Sequence, residues 1–440
     1  MKEQKVKPSI LPGFMELLPK DQILFNKMMD TIRRNYEKYG FVPLDTPLIE
    51  KSEVLLAKGG GETEKQIYRF TKGDTDLSLR FDLTVPLARY VAQHFSELNF
   101  PFRRYHIGKV YRGERNQKGR FREFYQCDID IIGNGKLSII NDAEIPSIIY
   151  STFKDLGFED FTIHINNRKI LNGFFESVKV DKKIEVLRII DKLEKIGYDA
   201  VIKELEEIGI EKDSIERIME FIGIKGSNDD ILLKLKELNI ENEQFLLGLD
   251  ELNKVVHYIR CFNVPEKNFI IDLTIARGLD YYTGTVYETI LNNYPQIGSV
   301  CSGGRYDNLA EFYTDQKLPG VGISIGLTRL FYQLREAEII GENASSTLSE
   351  VLLIPMGETL DYSIEVANSL RNEGIVCEIY YEDAKIGKKF AYADKLNIPY
   401  VILIGEDELQ RKMVSLKNMS TGAQNIIEIS EAAETIKNRL

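Results

Sequence analysis

Apolar residues recur at three- and four-residue intervals in DQILFNKMMDTIRRNYEKY, from Asp21 to Tyr39, and predict a helix that Gly40 ends. The following FVPLDTPLIEKSEVL is extended, with Pro43 and Pro47 restricting it to an edge or a kinked position. LSLRFDLTVPLARYVAQHF predicts a strand running into a helix, and alternation at the strand end puts Arg80, Asp82 and Thr84 on one face. Two runs rich in β-branched and aromatic residues, RRYHIGKVYR and FREFYQCDIDIIG, flank a polar loop with Asn116 and Gly119, the pattern of an antiparallel hairpin with a long tip. DAEIPSIIYSTFKDLG reads as an amphipathic helix and FTIHINNRKIL as a strand with turn residues.

Between Ser177 and Phe262 strand-like runs vanish. Lys and Glu dominate there while Ile and Leu return every third or fourth residue, as in IEVLRIIDKLEKIGYDAVIKELEEIGI, which predicts a helical insertion with its own small core. Strand character resumes in FIIDLTIARGLDYYTGTVYETIL, and LPGVGISIGLTRLFYQL reads strand, glycine, helix. Past the polar linker EAEIIGENASST, strand and helix alternate from EVLLIPMG to KMVSLKNM, predicting a separate α/β domain on a largely parallel sheet. The expected boundaries are 1–170 and 263–336 for two parts of one domain, 171–262 for the insertion, 337–348 for the linker and 349–440 for the last domain.

A chain of 440 residues is long for one core, and 43% hydrophobic with 28% charged residues describes a globular protein, not a disordered one. Its net charge of -11 argues against indiscriminate nucleic-acid binding. No stretch approaches the ~18 to 20 apolar residues of a membrane helix, and the charged MKEQKVKPSI lacks the apolar core of a signal peptide. Cys127, Cys261, Cys301 and Cys377 form no C-x-x-C pair and the histidines lack helical metal spacing, so no zinc site or disulfide framework is expected and a reducing cytoplasm fits. Neither GxxxxGK[ST] nor GxGxxG occurs, so no P-loop or dinucleotide fingerprint is expected.

Charge changes the picture at the hairpin. Between Arg103 and Arg122, the cations Arg103, Arg104, Lys109, Arg112, Arg115, Lys118, Arg120 and Arg122 stand against the single acid Glu114. A basic hairpin in an acidic chain is a local anion site, and Arg suits phosphate oxygens because its fork donates two parallel hydrogen bonds. Alternation puts Arg112 and Glu114 on one face with Gln126, Asp128 and Asp130, a set costly to bury unless something polar binds there. Elsewhere, Gly59 to Gly61 make a loop that either closes over a ligand or is a surface turn, and the paired Gly303 and Gly304 either admit a ligand ring against backbone or form a tight turn. An Arg at a strand end, such as Arg277, can stabilise growing negative charge, and a Tyr hydroxyl and the Asp130 carboxyl can each hydrogen-bond a polar ligand. Tyr281, Tyr282 and Tyr287 equally suit sheet packing, and at least one is expected to do that.

YRGERNQKGRFREFYQCDIDIIG resembles motif 2 of the class II aminoacyl-tRNA synthetases, in the form found in the histidyl-tRNA synthetase family. The first helix with its proline-containing extended segment resembles motif 1, GISIGLTRL resembles motif 3, and RGLDYYTGTVYE resembles a peptide of the histidyl enzymes alone. The resemblance runs from Pro12 to the C-terminus and is weakest in the helical insertion. It implies an α+β protein: a class II antiparallel-sheet catalytic domain carrying a helical insertion, followed by an anticodon-binding α/β domain, in a homodimer formed through motif 1.

The resemblance also implies residue roles. Arg112 and Arg277 would hold the α-phosphate of ATP, with Glu114, Arg120, Phe124 and Arg329 around the adenine and outer phosphates. Asp82, Thr84 and Gln126 would orient L-histidine, and Asp130, Arg277, Tyr281, Tyr282 and Tyr306 would complete its site. Arg115 and Gln117 would contact tRNA(His). Mg²⁺ would enter with ATP, and the protein itself would hold no metal. Asp82 and Asp130 stand where many bacterial members carry Glu, so both acids are one methylene short of the common pattern. Two other readings share some motifs: a synthetase-like regulatory subunit of ATP phosphoribosyltransferase, whose relatives typically lose RGLDYY and the last domain, and a threonyl or prolyl synthetase, which RGLDYYTG argues against.

Overall fold

The computed structural model describes residues 6–57, 62–114, 119–190, 192–275, 282–341 and 346–438. The strands in chain order are β1 (Val42–Pro43), β2 (Ile49–Lys51), β3 (Arg69–Lys72), β4 (Thr75–Leu79), β5 (Phe102–Tyr111), β6 (Glu123–Ile132), β7 (Phe161–Asn167), β8 (Phe269–Ile271), β9 (Thr285–Leu291), β10 (Cys301–Tyr306) and β11 (Gly320–Ile325), then β12 (Val351–Pro355), β13 (Cys377–Ile379), β14 (Tyr400–Ile404), β15 (Val414–Asn418) and β16 (Gln424–Ile427). Two compact units emerge, Met1–Met15 with Met28–Ala337 and Glu16–Lys27 with Glu338–Leu440.

In the first unit eight strands form one sheet in the order β1-β5-β6-β11-β10-β9-β7-β8. Its interior pairs are antiparallel, and a parallel pair closes each edge, β1 with β5 and β7 with β8. β2, β4 and β3 form a small separate sheet. Alternation sorts β6 cleanly: Cys127, Ile129 and Ile131 are fully buried toward one side, where the Tyr36 hydroxyl donates to the Cys127 carbonyl at 2.9 Å. On that side the helix Ile140–Asp155 packs on β10 and β11. This helix is not the one-sided element its sequence predicts: Ala143, Ile145, Pro146, Ser147, Ile148, Ile149, Thr152 and Phe153 are all buried, because the sheet takes one flank and the helix Glu243–Cys261 another. A buried ion pair pins it, Arg305 on β10 to Asp142 at 2.6 Å.

FTIHINNRKIL contains β7 and then the start of a helix, Arg168–Ser177, capped by the Asn167 side chain accepting from the Lys169 amide. Among the described residues no strand lies between Asn167 and Phe269, and helices occupy that stretch. The helix Glu243–Cys261 lies against Arg168–Ser177 at glycine contacts: a Cβ on Gly173 would sit 2.4 Å from the Phe245 nitrogen, and one on Gly248 would sit 2.7 Å from the Ile170 nitrogen.

In the second unit the sheet order is β13-β12-β14-β15-β16. Here the expectation of a largely parallel sheet fails in half: β12 pairs parallel with β13 and β14, but β14–β15 and β15–β16 are antiparallel. The short hairpin connection from β15 to β16, across Ser420 to Gly422, leaves no room for a crossover helix, so that pair must reverse.

Candidate active site

The site is the other face of the first unit's sheet. Gln126, Asp128 and Asp130 alternate onto it from β6. Their register partners are Gly108, His106 and Arg104 on β5, and on β11 Asp128 faces Ser324 and Asp130 faces Gly322. Over this face opens a cavity of about 530 Å³. It is lined by Asp82, Thr84, Arg112, Glu114, Arg120, Phe124, Gln126, Asp130, Tyr282, Tyr306 and Arg329, so segments far apart in sequence meet in one space. Arg277 and Tyr281, the Gly59 to Gly61 loop, and Arg115 and Gln117 at the hairpin tip lie outside the described residues.

At one end the acids gather. The Tyr306 hydroxyl donates to Asp130 at 2.6 Å, and the Arg104 guanidinium, fully buried, contacts the same carboxylate at 2.6 Å while donating to the Leu83 carbonyl at 3.1 Å. Gly322 makes room for this arrangement, since a Cβ there would stand 2.3 Å from Asp130 Oδ1. Asp82 Oδ1 accepts the amides of Thr84 and Val85 at 3.1 and 2.9 Å, so it anchors the start of the helix Thr84–Gln93 as well as lining the cavity.

Burial pushes the carboxyls of Asp82, Asp128 and Asp130 above the ordinary carboxylate range, with Arg104 pulling all three back. Asp128 rises to about 7, held there also by the neighbouring charges of Asp130 and Asp82, while the Ser324 hydroxyl favours its ionised form. His106, opposite Asp128, is driven down to about 3 by burial and by Arg104 and Arg80, so it is neutral at physiological pH.

Arg80 does not share the face of Asp82 and Thr84. It is buried away from the cavity, donating to the carbonyls of Lys109 at 2.8 Å and Thr46 at 2.5 Å and pairing with Asp45 at 3.2 Å. The reason is that β4 ends at Leu79; strand alternation does not carry through Arg80 to Thr84, where the chain is already turning into a helix.

At the other end the guanidinium groups gather. Arg112 is held between two rings, Phe81 at 4.4 Å and Phe124 at 5.1 Å, with its Nε donating to the Phe81 carbonyl at 3.2 Å. Arg120 pairs with Glu114 at 3.1 Å. Arg329, in the first turn of the helix Leu327–Glu336, donates to the Ile297 carbonyl at 3.0 Å. A Cβ on Gly326, the residue before that helix, would meet nothing within 4 Å, so the backbone there is open to a ligand. Gly303 and Gly304 make no turn, and Gly303 lines the cavity. They lie within β10, where added Cβ atoms would stand 2.1 Å from the Gly322 carbonyl and 2.6 Å from that of Thr285. Tyr287 packs the far side, donating to the Asp142 carbonyl at 2.7 Å.

Sequence reasoning assigned no role to Arg104, Asp128, Ser324, Ser302 or Glu288. Arg104 was visible only as one of many hairpin cations; the strand register that sets it against Asp130 singles it out. Asp128, Ser302, Ser324 and Glu288 line the same cavity, on β6, β10, β11 and β9.

A family model described as Histidyl-tRNA synthetase matches residues 13–330 and one described as Anticodon binding domain matches residues 350–439. The chain belongs to the histidyl-tRNA synthetase family. A histidine–tRNA ligase of Clostridium tetani is 76% identical over the whole of both chains, and one of Clostridium acetobutylicum is 52% identical, covering 97% of this chain and 99% of its own. The crystal structure of histidyl-tRNA synthetase from Nostoc sp. PCC 7120 superposes with a TM-score of 0.92 at 44% identity, covering 99% of this chain and 100% of that one. The histidyl-tRNA synthetase fold expected from the sequence, a class II catalytic domain followed by an anticodon-binding domain, is the one observed. An ATP phosphoribosyltransferase regulatory subunit/histidyl-tRNA synthetase from Bacillus halodurans C shares the fold at a TM-score of 0.74, with 20% identity.

Proposed function

We infer that this chain ligates L-histidine to tRNA(His) in two steps, and the observation that carries the reading is the cavity with acids and a phenol at one end and guanidinium groups at the other. In the first step the histidine carboxylate attacks the α-phosphorus of ATP, forming histidyl-adenylate and expelling pyrophosphate. Asp82 and Thr84 hold the α-ammonium, and Gln126 accepts from it. Asp130, fixed by Arg104 and Tyr306, accepts an imidazole N–H, with Tyr282 and Tyr281 completing that end. Arg112 and Arg277 meet the α-phosphate, where negative charge grows in the transition state. Phe124 and Arg329 sandwich the adenine, and Glu114 with Arg120 binds its edge and the outer phosphates. In the second step the terminal ribose hydroxyl of the tRNA attacks the activated carbonyl and releases AMP. Arg115 and Gln117 contact the tRNA near the acceptor end. Both steps need positioning and charge stabilisation, and neither needs a protein nucleophile.

Glu114 and Glu288, the cavity carboxylates outside the histidine end, are oxygen donors that would hold an Mg²⁺ accompanying ATP, and the ion would screen the phosphates. Among the described residues no group of three His, Cys, Asp or Glu side chains could hold a metal ion by itself. The matched anticodon-binding domain reads the tRNA anticodon, the helical insertion of 171–262 lies at the acceptor arm, and motif 1 joins two copies into a homodimer. Among the described residues no helix is long and apolar enough to cross a membrane, and a translation enzyme of this kind works in the cytoplasm.

The test is ATP–pyrophosphate exchange with each proteinogenic amino acid. Exchange is expected with histidine well above the others. Exchange led by threonine or proline, or by none in folded protein, would overturn the reading.

A further inference from the structure

Three polar side chains, Gln126, Ser324 and Asp128, neighbour one another on the cavity face, and counting their protons sets the direction of a relay through them. Gln126 Nε2 donates to Ser324 Oγ at 2.7 Å. Ser324 lies directly across from Asp128 in the β6–β11 register, and its hydroxyl favours the ionised form of the Asp128 carboxyl. A serine has one proton. If Ser324 gives it to the Asp128 carboxylate, its oxygen must accept from Gln126, and Gln126 can then present only its amide nitrogen to Ser324. The Gln126 carbonyl oxygen is left over: it is buried and has no hydrogen-bond partner among the described residues. An acceptor in that state is costly until a donor reaches it, and Gln126 lines the cavity with Asp82 and Thr84.

We propose that Asp128 is a positioning residue that acts through Ser324 to lock the Gln126 amide with its carbonyl oxygen reserved for the substrate's α-ammonium, making the enzyme discriminate amino acids from otherwise identical acids lacking the amine. The inference rests on the reading of Gln126 as a substrate ligand. Without Asp128 the Ser324 proton is released to Gln126, the amide can turn over, and it then offers an N–H where the ammonium needs an acceptor. Isolated loss of either relay member therefore harms recognition of the ammonium and not of the nucleotide.

The experiment measures ATP–pyrophosphate exchange with histidine, and its inhibition by the α-hydroxy analogue imidazole-lactate, in full-length Asp128→Ala, Ser324→Ala, Ser324→Thr, Gln126→Ala and the double variant Asp128→Ala with Ser324→Ala. Asp128→Ala and Ser324→Ala are each expected to raise KM for histidine by ~10-fold or more, leave KM for ATP unchanged, and narrow the preference for histidine over imidazole-lactate by a similar factor. Ser324→Ala keeps the Asp128 charge, so it separates the relay from simple electrostatics. Ser324→Thr keeps the hydroxyl and is expected to retain the wild-type preference. The double variant is expected to lose no more than either single one, as members of one unit do. Unchanged discrimination in Ser324→Ala, or equal loss of affinity for ATP and histidine in both single variants, overturns the relay. Normal histidine KM in Gln126→Ala overturns the ligand reading itself, whereas an impaired Gln126→Ala beside a normal Ser324→Ala overturns the relay alone.

Discussion

Asp128 carries a conflict between stability and recognition. Its carboxyl ionises near pH 7 in the folded chain and near pH 4 in the unfolded one. The folded state therefore holds the proton more tightly; the stability this contributes is full below about pH 4 and is lost as pH rises through about 7. That interval corresponds to roughly 4 kcal/mol at most. Asp128→Asn should therefore be more stable than wild type at pH 8, by up to that amount, with the difference shrinking toward pH 5; urea melts at both pH values check this. Tyr306→Phe removes a 2.6 Å donor from Asp130 and should raise KM for histidine by ~10-fold with little change for ATP, measured by pyrophosphate exchange. Arg104→Met is expected to be more severe, since it leaves a buried carboxylate without its ion-pair partner and should cost about 3 to 5 kcal/mol in thermal or chemical denaturation.

At the scale of elements, what the sequence reveals depends on how local the cause is. The hairpin of β5 and β6 is legible because its alternation is uninterrupted, whereas the helix start at Asn167, whose side chain accepts from the Lys169 amide, reads in sequence only as turn residues. Arg80 misleads because the strand ends one residue before it, and a one-residue error in a period of two reverses a side chain. Ser324 is not legible as a partner of Gln126: nothing within either strand specifies which strand will lie beside it, and the two residues are 198 positions apart. The antiparallel half of the second unit's sheet was missed for a related reason, since a helix between strands signals a crossover only where the connection is long enough to hold one. The close helix contact at Gly173 and Gly248 gives a prediction here. Gly248→Leu places side-chain atoms where the Ile170 backbone already lies and should lower stability by about 1 to 3 kcal/mol or more, read as a fall in denaturation midpoint.

At the scale of the whole molecule, every described residue of the cavity belongs to the first unit. Histidine and ATP should therefore stabilise that unit selectively. Calorimetry is expected to resolve two transitions, of which the one assigned to the first unit moves up by RT ln(1 + [L]/Kd) with histidine while the other stays in place. A single transition shifting as one would show that the two units unfold together. The family and its domain order were readable because motifs 1, 2 and 3 and the RGLDYYTG peptide are local strings; the chemistry of the cavity wall was readable only in part, because side chains such as Arg104 and Asp128 gain meaning from neighbours brought in by topology.

The strand order has a consequence for the chain during its synthesis. β6 has β5 on one flank from the moment the hairpin forms, but its other flank is filled by β11, which ends at Ile325. Until the ribosome has released those late residues, the nascent polypeptide carries an open strand rim bearing half-assembled polar side chains. Premature termination anywhere in the helical stretch thus leaves a sticky fragment, not a smaller working enzyme.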